Sequence, residues 1–175
     1  GVEPLLSAPT YTGSLMSVTD FPTISFSDGT PTASVSNCTN AVTAYQGTIS
    51  FSVPSTNTWQ ELKVYMGGFE TENTIEITDE AMSETTRLHF EVGNTTQRKV
   101  ITIRFRSDMD STLSFKASGT GHLFVAAYTL SDVPAEDILT DAVPRAQAAL
   151  AGFADLSAGF EVVPPVCAPS YCACG

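Results

Sequence analysis

The side chains best suited to ligand chemistry occupy alternate positions in the middle of the chain. Trp59, Lys63 and Tyr65 are spaced so that a strand would point them to one face, and later stretches repeat this spacing with basic residues. Aromatic rings beside cations suit sugar binding, because a ring packs on the apolar face of a pyranose while charged groups bond to its hydroxyls. The ligand-binding candidates are Trp59, Lys63, Tyr65, Arg87, His89, Arg104 and Arg106.

A plainer interpretation of these residues stays open. Charged side chains are normal on the solvent face of a sheet, where a cross-strand pair such as Glu91 with Arg104 contributes under about 1 kcal/mol. Trp59, the only tryptophan, either caps the end of the core or stands in a loop as a stacking ring. The basic and aromatic residues therefore form either a glycan-binding platform or an ordinary solvated sheet.

No catalytic or zinc-binding grouping is evident. The two histidines, His89 and His122, belong to no His-Glu-x-x-His motif and have no zinc spacing with cysteine. No local pattern suggests a Ser-His-Asp or Cys-His group, and the spacing of the 19 acidic residues does not identify a pair for glycoside hydrolysis. We therefore expect no enzyme activity, no catalytic residue and no catalytic metal.

The elements that position the candidate residues are expected to be strands. Between Gly47 and Thr129 apolar side chains recur at every second position, as in Ile49, Phe51 and Val53. Turn residues separate six such stretches, and no long helical pattern interrupts them. This pattern is typical of an antiparallel jelly roll or β-sandwich, so the fold class is all-β, with a domain at residues 24–130.

The chain before residue 24 contains three prolines and one short strand, expected at Ser14–Val18. Residues 1–23 form either an ordinary edge strand or an N-terminal arm that pairs with another molecule. The next stretch, FPTISFSDGTPTASVSN, predicts a hairpin in which Asp28-Gly29 reverses the chain.

Several motifs resemble a known family. They are DGTP at residues 28–31, the strands Phe51–Pro54 and Leu62–Phe69, the turn Ser118-Gly119-Thr120-Gly121 and the final strand Leu123–Tyr128. Over about residues 24–130 the sequence is similar to the galactose-binding-like jelly-roll accessory domains of secreted bacterial glycoside hydrolases and cell-surface proteins. The resemblance implies a jelly roll that is usually non-catalytic and attached to another domain.

Jelly rolls of this type can hold a structural calcium ion through loop carboxylates and carbonyls. Acidic residues in the predicted turns are Asp28, Asp79, Glu80, Asp108 and Asp110. Asp108-Met109-Asp110 lacks the further ligands of a recognised calcium loop, so an ordinary acidic turn is the plainer interpretation. A structural calcium stays an alternative, and no other cofactor is expected.

After Tyr128 the composition changes. Residues 131–160 are rich in alanine and spaced for a short helical segment, with Ser131 or Asp132 as the N-cap and Pro144 as a break. This appendage either packs on its own domain or docks on a neighbouring subunit. Residues 161–175 contain three prolines and three of the four cysteines, which predicts an extended Cys/Pro-rich tail.

Cysteines and glycosylation motifs favour an extracellular chain. The disulfide candidates are Cys38, Cys167, Cys172 and Cys174; Cys38 bonded to a tail cysteine would clamp the tail, and Cys167 with Cys172 or Cys174 would close a small loop. Bonds between molecules are a third alternative. Asn37 and Asn94 begin N-glycosylation sequons in predicted turns. With charged residues at only 15%, these features favour a secreted protein.

Charge and hydropathy restrict the partners. A net charge of −11 disfavours nucleic acid and anionic membrane surfaces, and no apolar run approaches the roughly 20 residues that span a bilayer. The first hypothesis is a secreted, non-catalytic module that binds carbohydrate or adheres to a cell-surface or matrix component. The alternative is a structural subunit of an extracellular filament or surface layer, self-assembling through both chain ends, and a third is an accessory domain of a larger enzyme.

Overall fold

The computed structural model describes residues 9–18, 24–26, 35–81, 83–107, 109–133, 157–158 and 171–172. Every regular element within these ranges is a β-strand, and the strand pairs are antiparallel. The all-β, antiparallel fold predicted from the alternation is therefore confirmed. The strands are β1 (Thr10–Ser17), β2 (Ile24–Phe26), β3 (Val35–Cys38), β4 (Asn40–Ser55), β5 (Gln60–Phe69), β6 (Thr71–Asp79), β7 (Glu84–Val92), β8 (Gln97–Phe105), β9 (Ser111–Gly119), β10 (His122–Asp132), β11 (Ser157–Ala158) and β12 (Tyr171–Cys172).

The 16-residue strand β4 belongs to two layers. Its first part, from Val42 to Tyr45, pairs with β10, and its second part, from Thr48 to Ser55, pairs with β9. One layer has the order β11-β8-β5-β10-β4, and the other continues as β4-β9-β6-β7. Strand β1 pairs along both parts of β4, so the antiparallel sheet bends over itself and is nearly closed.

The apolar faces of the two layers meet in one core. The alternate residues predicted to point inward on β4 to β9 belong to this core, with Leu88 partly buried at its margin. Stacked aromatic rings lie in this core: the ring of Phe51 stacks on Phe115 of the neighbouring strand β9 at a centroid distance of 4.8 Å and on Tyr128 of β10, in the other layer, at 3.9 Å. Burial of these rings and of the surrounding β-branched residues supplies the main stabilisation of the sandwich.

A second apolar cluster lies on the outer face of the β5-β10-β4 layer. Phe124 alternates with the core residues Leu123 and Val125 and therefore points to the opposite face. The cluster consists of Cys38, Ala41, Phe124, Ala126 and Ala127, with Val18, Tyr65 and Phe69 packed against it. This part of the outer face is buried, which differs from the solvated sheet considered from the sequence.

The two chain ends are described only in part. Strand β1 pairs with β4 of the same chain, as an edge strand would, and β2 pairs with β3 as the two arms of the predicted hairpin. Ser131 and Asp132, expected to begin the helical segment, instead end β10, and β11 pairs with β8. The rest of that segment and most of the Cys/Pro-rich tail lie outside the described residues, apart from β12, which pairs with β10.

We expect Phe115→Ala to lower the free energy of unfolding by about 3–5 kcal/mol, because it removes a buried ring stacked on Phe51 and leaves a cavity between the layers. Urea denaturation followed by tryptophan fluorescence measures the change. Met109→Ala is the matched control: its side chain is exposed, so we expect a change within about 0.5 kcal/mol. Equal midpoints for the two variants would contradict this core.

Candidate functional site

The predicted ligand-binding residues do not share one surface. Lys63 and Arg104 lie on neighbouring strands β5 and β8 and both bind Glu61. The Lys63 Nζ to Glu61 Oε1 distance is 3.2 Å, and the Arg104 Nε to Glu61 Oε2 distance is 2.9 Å. These three residues form a compact ion-pair cluster on the outer face of one layer, in which two cations share one carboxylate.

The predicted pair of Glu91 with Arg104 is not formed. Glu91 lies on β7 and is directly opposite Glu72 of β6, whereas Arg104 lies on β8 opposite Glu61 of β5. The reason is topological: the chain passes from one layer to the other between β7 and β8, so these consecutive strands are not paired with each other.

Arg87 and His89 lie on β7, in the other layer. Arg87 donates from Nε to Glu76 Oε1 at 2.9 Å, and His89 Nδ1 contacts Thr74 Oγ1 at 3.5 Å. The outer faces of two stacked layers point in opposite directions, so Arg87 and His89 cannot join Lys63 and Arg104 in one binding surface.

Trp59 and Arg106 lie at one end of the sandwich, and Tyr65 lies away from them. The Arg106 guanidinium sits over the Trp59 ring, 5.2 Å from its centroid, in a cation–π contact. The Trp59 carbonyl accepts a hydrogen bond from the Val133 N–H at 2.8 Å. Tyr65 packs against the outer apolar cluster, so the seven predicted residues are divided among four places.

A depression at the opposite end of the sandwich brings together residues that were not predicted as ligands. Three chain reversals meet there: the bend of β4, the turn between β5 and β6, and the turn between β9 and β10. The depression has a volume of about 310 Å³ and is lined by Tyr45, Glu70, Thr120, Gly121 and His122. We call it the Tyr45 depression.

Strand register places an aromatic row across this end. His122 of β10 is directly opposite Tyr45 of β4 on one side and Phe69 of β5 on the other. The His122 ring lies 4.7 Å from the Tyr45 ring, tilted by 43°, and 6.2 Å from the Phe69 ring. Tyr45 is 60% exposed, an unusual value for an aromatic ring in a strand, so most of its surface is available to a ligand.

Hydrogen bonds between main chains hold the three reversals together. Gln46 donates its N–H to the Gly121 carbonyl at 2.9 Å, and Glu70 donates its N–H to the Gly93 carbonyl at 2.9 Å. The Thr120 N–H bonds to the Glu72 carbonyl at 3.1 Å, and the Thr120 hydroxyl accepts the Glu72 N–H at 2.9 Å. The backbones of the lining residues are therefore held mainly by main-chain hydrogen bonds, supplemented by the hydroxyl groups of Thr120 and Thr71, the second of which accepts the Gly121 N–H at 3.1 Å.

Two residues beside the depression have left-handed backbone conformations. Gln46 has a φ of 49° and Glu70 has a φ of 46°. Residues with side chains adopt this region at a cost of about 1–3 kcal/mol, and such strain clusters at binding and catalytic sites. Gly121 is also required, because a Cβ there would overlap the carbonyl oxygen of Glu70.

Sequence reasoning missed this site because its residues are distant in the chain. Tyr45 and Glu70 had no role assigned, and His122 was considered only as a metal ligand. The available signal was local: Gly-Gly-Phe-Glu at 67–70 and Gly-Thr-Gly-His at 119–122 combine glycine turns with an aromatic or titratable side chain. The sequence does not show that these two turns meet beside Tyr45, because that contact depends on how the strands pair.

The remaining predicted features are only partly described. Asn94 is exposed in the turn between β7 and β8, and Asn37 is exposed with a φ of 54°. Cys38 is buried and disulfide-bonded, while the side chains of the other three cysteines lie outside the described part of the chain. Glycosylation of either asparagine and the identity of the disulfide partner stay predictions.

Grouped metal ligands and membrane-spanning helices are both absent from the described ranges. These ranges contain no group of three or more His, Cys, Asp or Glu side chains arranged to hold a metal ion. Asp79 Oδ1 instead accepts the Ala81 N–H at 2.9 Å, and Glu80 Oε1 accepts the Ser114 hydroxyl at 2.7 Å, while Asp28 and Asp108 are outside these ranges. In the same ranges no helix has the length and apolar character to span a bilayer.

No family model and no curated protein matches this sequence. Among solved structures, the carbohydrate-binding module TmCBM61 in complex with β-1,4-galactotriose is similar at 11% identity and a TM-score of 0.49, covering 73% of this chain and 90% of that one. Xyl-CBM35 in complex with a glucuronic acid-containing disaccharide gives 9% identity, a TM-score of 0.34 and coverage of 69% and 92%.

The enzymatically active domain of tailspike protein 4 from bacteriophage CBA120 is also similar, at 12% identity and a TM-score of 0.41. The match covers 72% of this chain but only 19% of the tailspike domain.

The ion-pair cluster of Glu61, Lys63 and Arg104 lowers the pKa of Glu61. Burial raises the pKa of Glu61, but hydrogen bonds and charge from Arg104 and Lys63 outweigh burial and hold it below the ordinary 4.5. Because the folded-state pKa is lowered, the cluster stabilises the fold at neutral pH, and this stability is lost as the pH falls from about 4.5 through the folded pKa.

Arg104→Gln should raise the Glu61 pKa, as measured by NMR titration of its carboxyl carbon. Arg87→Gln, which removes the partner of Glu76 in the other layer, should leave the Glu61 pKa unchanged; equal shifts in both variants would contradict the assignment.

Gly121→Ala should destabilise the fold by about 1–3 kcal/mol, because its Cβ would push the β9–β10 turn away from Glu70. The matched control is Gly93→Ala in the neighbouring β7–β8 turn, where an added Cβ meets no atom within 4 Å. Thermal unfolding measures both variants. The contact between the turns would be refuted by equal melting temperatures.

Proposed function

We propose that this chain is a non-catalytic carbohydrate-binding module and that the Tyr45 depression is its binding site. The observation that carries the proposal is the exposed Tyr45 ring beside His122 and Glu70, held on turns that main-chain hydrogen bonds lock together. A ring of this kind packs on the apolar face of a pyranose. The Glu70 carboxylate and the Thr120 hydroxyl bond to sugar hydroxyls, each of which is both a hydrogen-bond donor and an acceptor.

The size and rigidity of the depression suit a small ligand. A volume of about 310 Å³ lies at the lower end of the range for small-molecule sites, which matches one or a few sugar units better than a protein partner. Little ordering of the site is needed on binding, because Gln46, Glu70 and Gly121 are already fixed by the main chain.

The lining residues favour binding over hydrolysis. Glycoside hydrolysis generally needs two carboxyl groups on either side of the scissile bond. The described residues that line the depression include one carboxylate, Glu70, and no second acid faces it within that set. A bound sugar would therefore be held at this site without the acid and base required for cleavage.

We also propose that the module is secreted and that its ligand belongs to a cell surface or matrix. Support comes from the disulfide-bonded Cys38 and from the exposed Asn94 in its sequon, both of which suit an oxidising secretory compartment. The alternative of a structural subunit gains no support from residues 10–17, because β1 is already paired with β4 of its own chain.

Tyr45→Ala should weaken glycan binding by about tenfold or more, because a stacking ring of this kind contributes on the order of 1.4 kcal/mol. A glycan array that includes β-1,4-galactotriose and glucuronic acid-containing disaccharides selects the ligand, and isothermal titration calorimetry measures affinity. His89→Ala is the matched control, since His89 is exposed on the other layer.

A third variant tests the surface predicted from the sequence. If Trp59→Ala abolishes binding while Tyr45→Ala does not, the ligand binds at the Trp59–Arg106 end and the proposed site is wrong. Absence of binding to any arrayed glycan by the folded protein would reject the carbohydrate-binding function itself.

A further inference from the structure

We infer that the Tyr45 depression accepts neutral, hydroxyl-rich sugars and rejects uronates, and that Glu70 is the residue that determines this preference. The inference rests on the proposed function and adds the chemical class of the ligand. It follows from the sign of the charge in the depression and from the way in which the backbone of Glu70 is fixed.

With the His122 imidazole neutral, the charge of the depression is negative. Among its described lining residues Glu70 is acidic, and none is lysine or arginine. Glu72 and Glu91 lie directly opposite each other at the same end of the sandwich and add to the negative potential there. A ligand carboxylate would therefore meet like charge on entering the depression.

Six of the seven basic residues in the described chain have contacts away from the depression, and the seventh, Arg98 on β8 opposite Gly67, does not line it. Lys63 and Arg104 are paired with Glu61, and Arg87 and Lys116 are paired with Glu76. Arg106 covers Trp59 at the far end of the sandwich. Lys99, near the start of β8, lies over the ring of Phe90 at 5.2 Å. Recognition of a uronate normally uses a cation in the site, and none of these four groups of cations lines the depression.

The backbone of Glu70 is held in place beside the depression. Its N–H is bonded to the Gly93 carbonyl, its carbonyl is packed against Gly121, and its φ of 46° is a conformation that few residues adopt. A carboxylate only accepts hydrogen bonds, so it pairs well with the hydroxyls of a neutral sugar. It has no donor to offer to a ligand carboxylate, which would have to bind against both the charge and the missing hydrogen bond.

Matched single-ring ligands test the inference. Methyl β-galactoside is compared with methyl β-galacturonoside, and methyl β-glucoside with methyl β-glucuronide, by NMR titration of the Tyr45 and Gly121 amide signals. At low salt we expect at least one neutral glycoside to bind about tenfold or more tightly than its uronide. This ratio should decrease when salt screens the charge.

Two single variants test whether Glu70 determines the preference for neutral sugars. Glu70→Gln keeps the shape of the side chain and removes its charge. It should therefore raise uronide affinity about fivefold or more and lower the ratio of neutral-glycoside affinity to uronide affinity. Glu76→Gln is the matched control, since it removes one charge farther along the chain, on β6, where Glu76 pairs with Arg87 and Lys116 and does not line the depression, and it should change the ratio less than twofold.

The outcomes separate the inference from the proposed function. Tyr45-dependent binding in which the uronide equals or exceeds its neutral counterpart would overturn the inference and leave the carbohydrate site intact. An unchanged ratio in Glu70→Gln would also overturn it. If none of the four ligands perturbs the Tyr45 and Gly121 amides in the folded protein, the proposed function of this site fails as well.

Discussion

The bend of β4 at Gln46 and Gly47 is the constraint on which the rest of the structure depends. Because one strand supplies both layers, its bend determines how β10 and β9 lie relative to each other and where the core between them is closed. The backbones pack closely along this strand: a Cβ at Gly47 would overlap the Thr12 hydroxyl, and a Cβ at Gly13 would overlap the Thr43 carbonyl. Tyr45 comes directly before the bend, so the same feature that joins the layers exposes the ring.

Different interactions support the fold and the candidate site. The core depends on buried area and on stacked rings, whereas the visible ion pairs around Glu61 and Glu76 are partly or largely exposed, and pairs of this kind contribute little. The backbone of the Tyr45 depression is held in another way. It is held by amide hydrogen bonds between turns, which are directional and keep the lining residues in place even though their side chains face solvent.

The sequence predicted the strands and the core because both follow from a period of two. Ile49, Phe51 and Val53 occupy the core as alternation requires. Pairing between strands was not predictable in the same way, since it depends on which layer each strand enters. Glu91 and Arg104 illustrate this: they are on consecutive strands, but the chain changes layers between them. The outer face was misjudged for a related reason, since Phe124 and Ala126 form part of an unbroken apolar run that buries both faces of β10.

The candidate site is a product of register and not of a local motif. Tyr45, His122 and Phe69 come from three strands and form a row only because β10 is aligned residue for residue with β4 and β5 at this end. A slip of one residue would turn His122 toward the core and bring Leu123 to the surface. The alignment against β5 shifts between Val125 and Ala127, which shows that β10 absorbs an irregularity in its middle while its first residues stay in register. Since β10 meets the bent part of β4 over those same first residues, the closure of the sandwich and the position of the aromatic row depend on one set of backbone contacts.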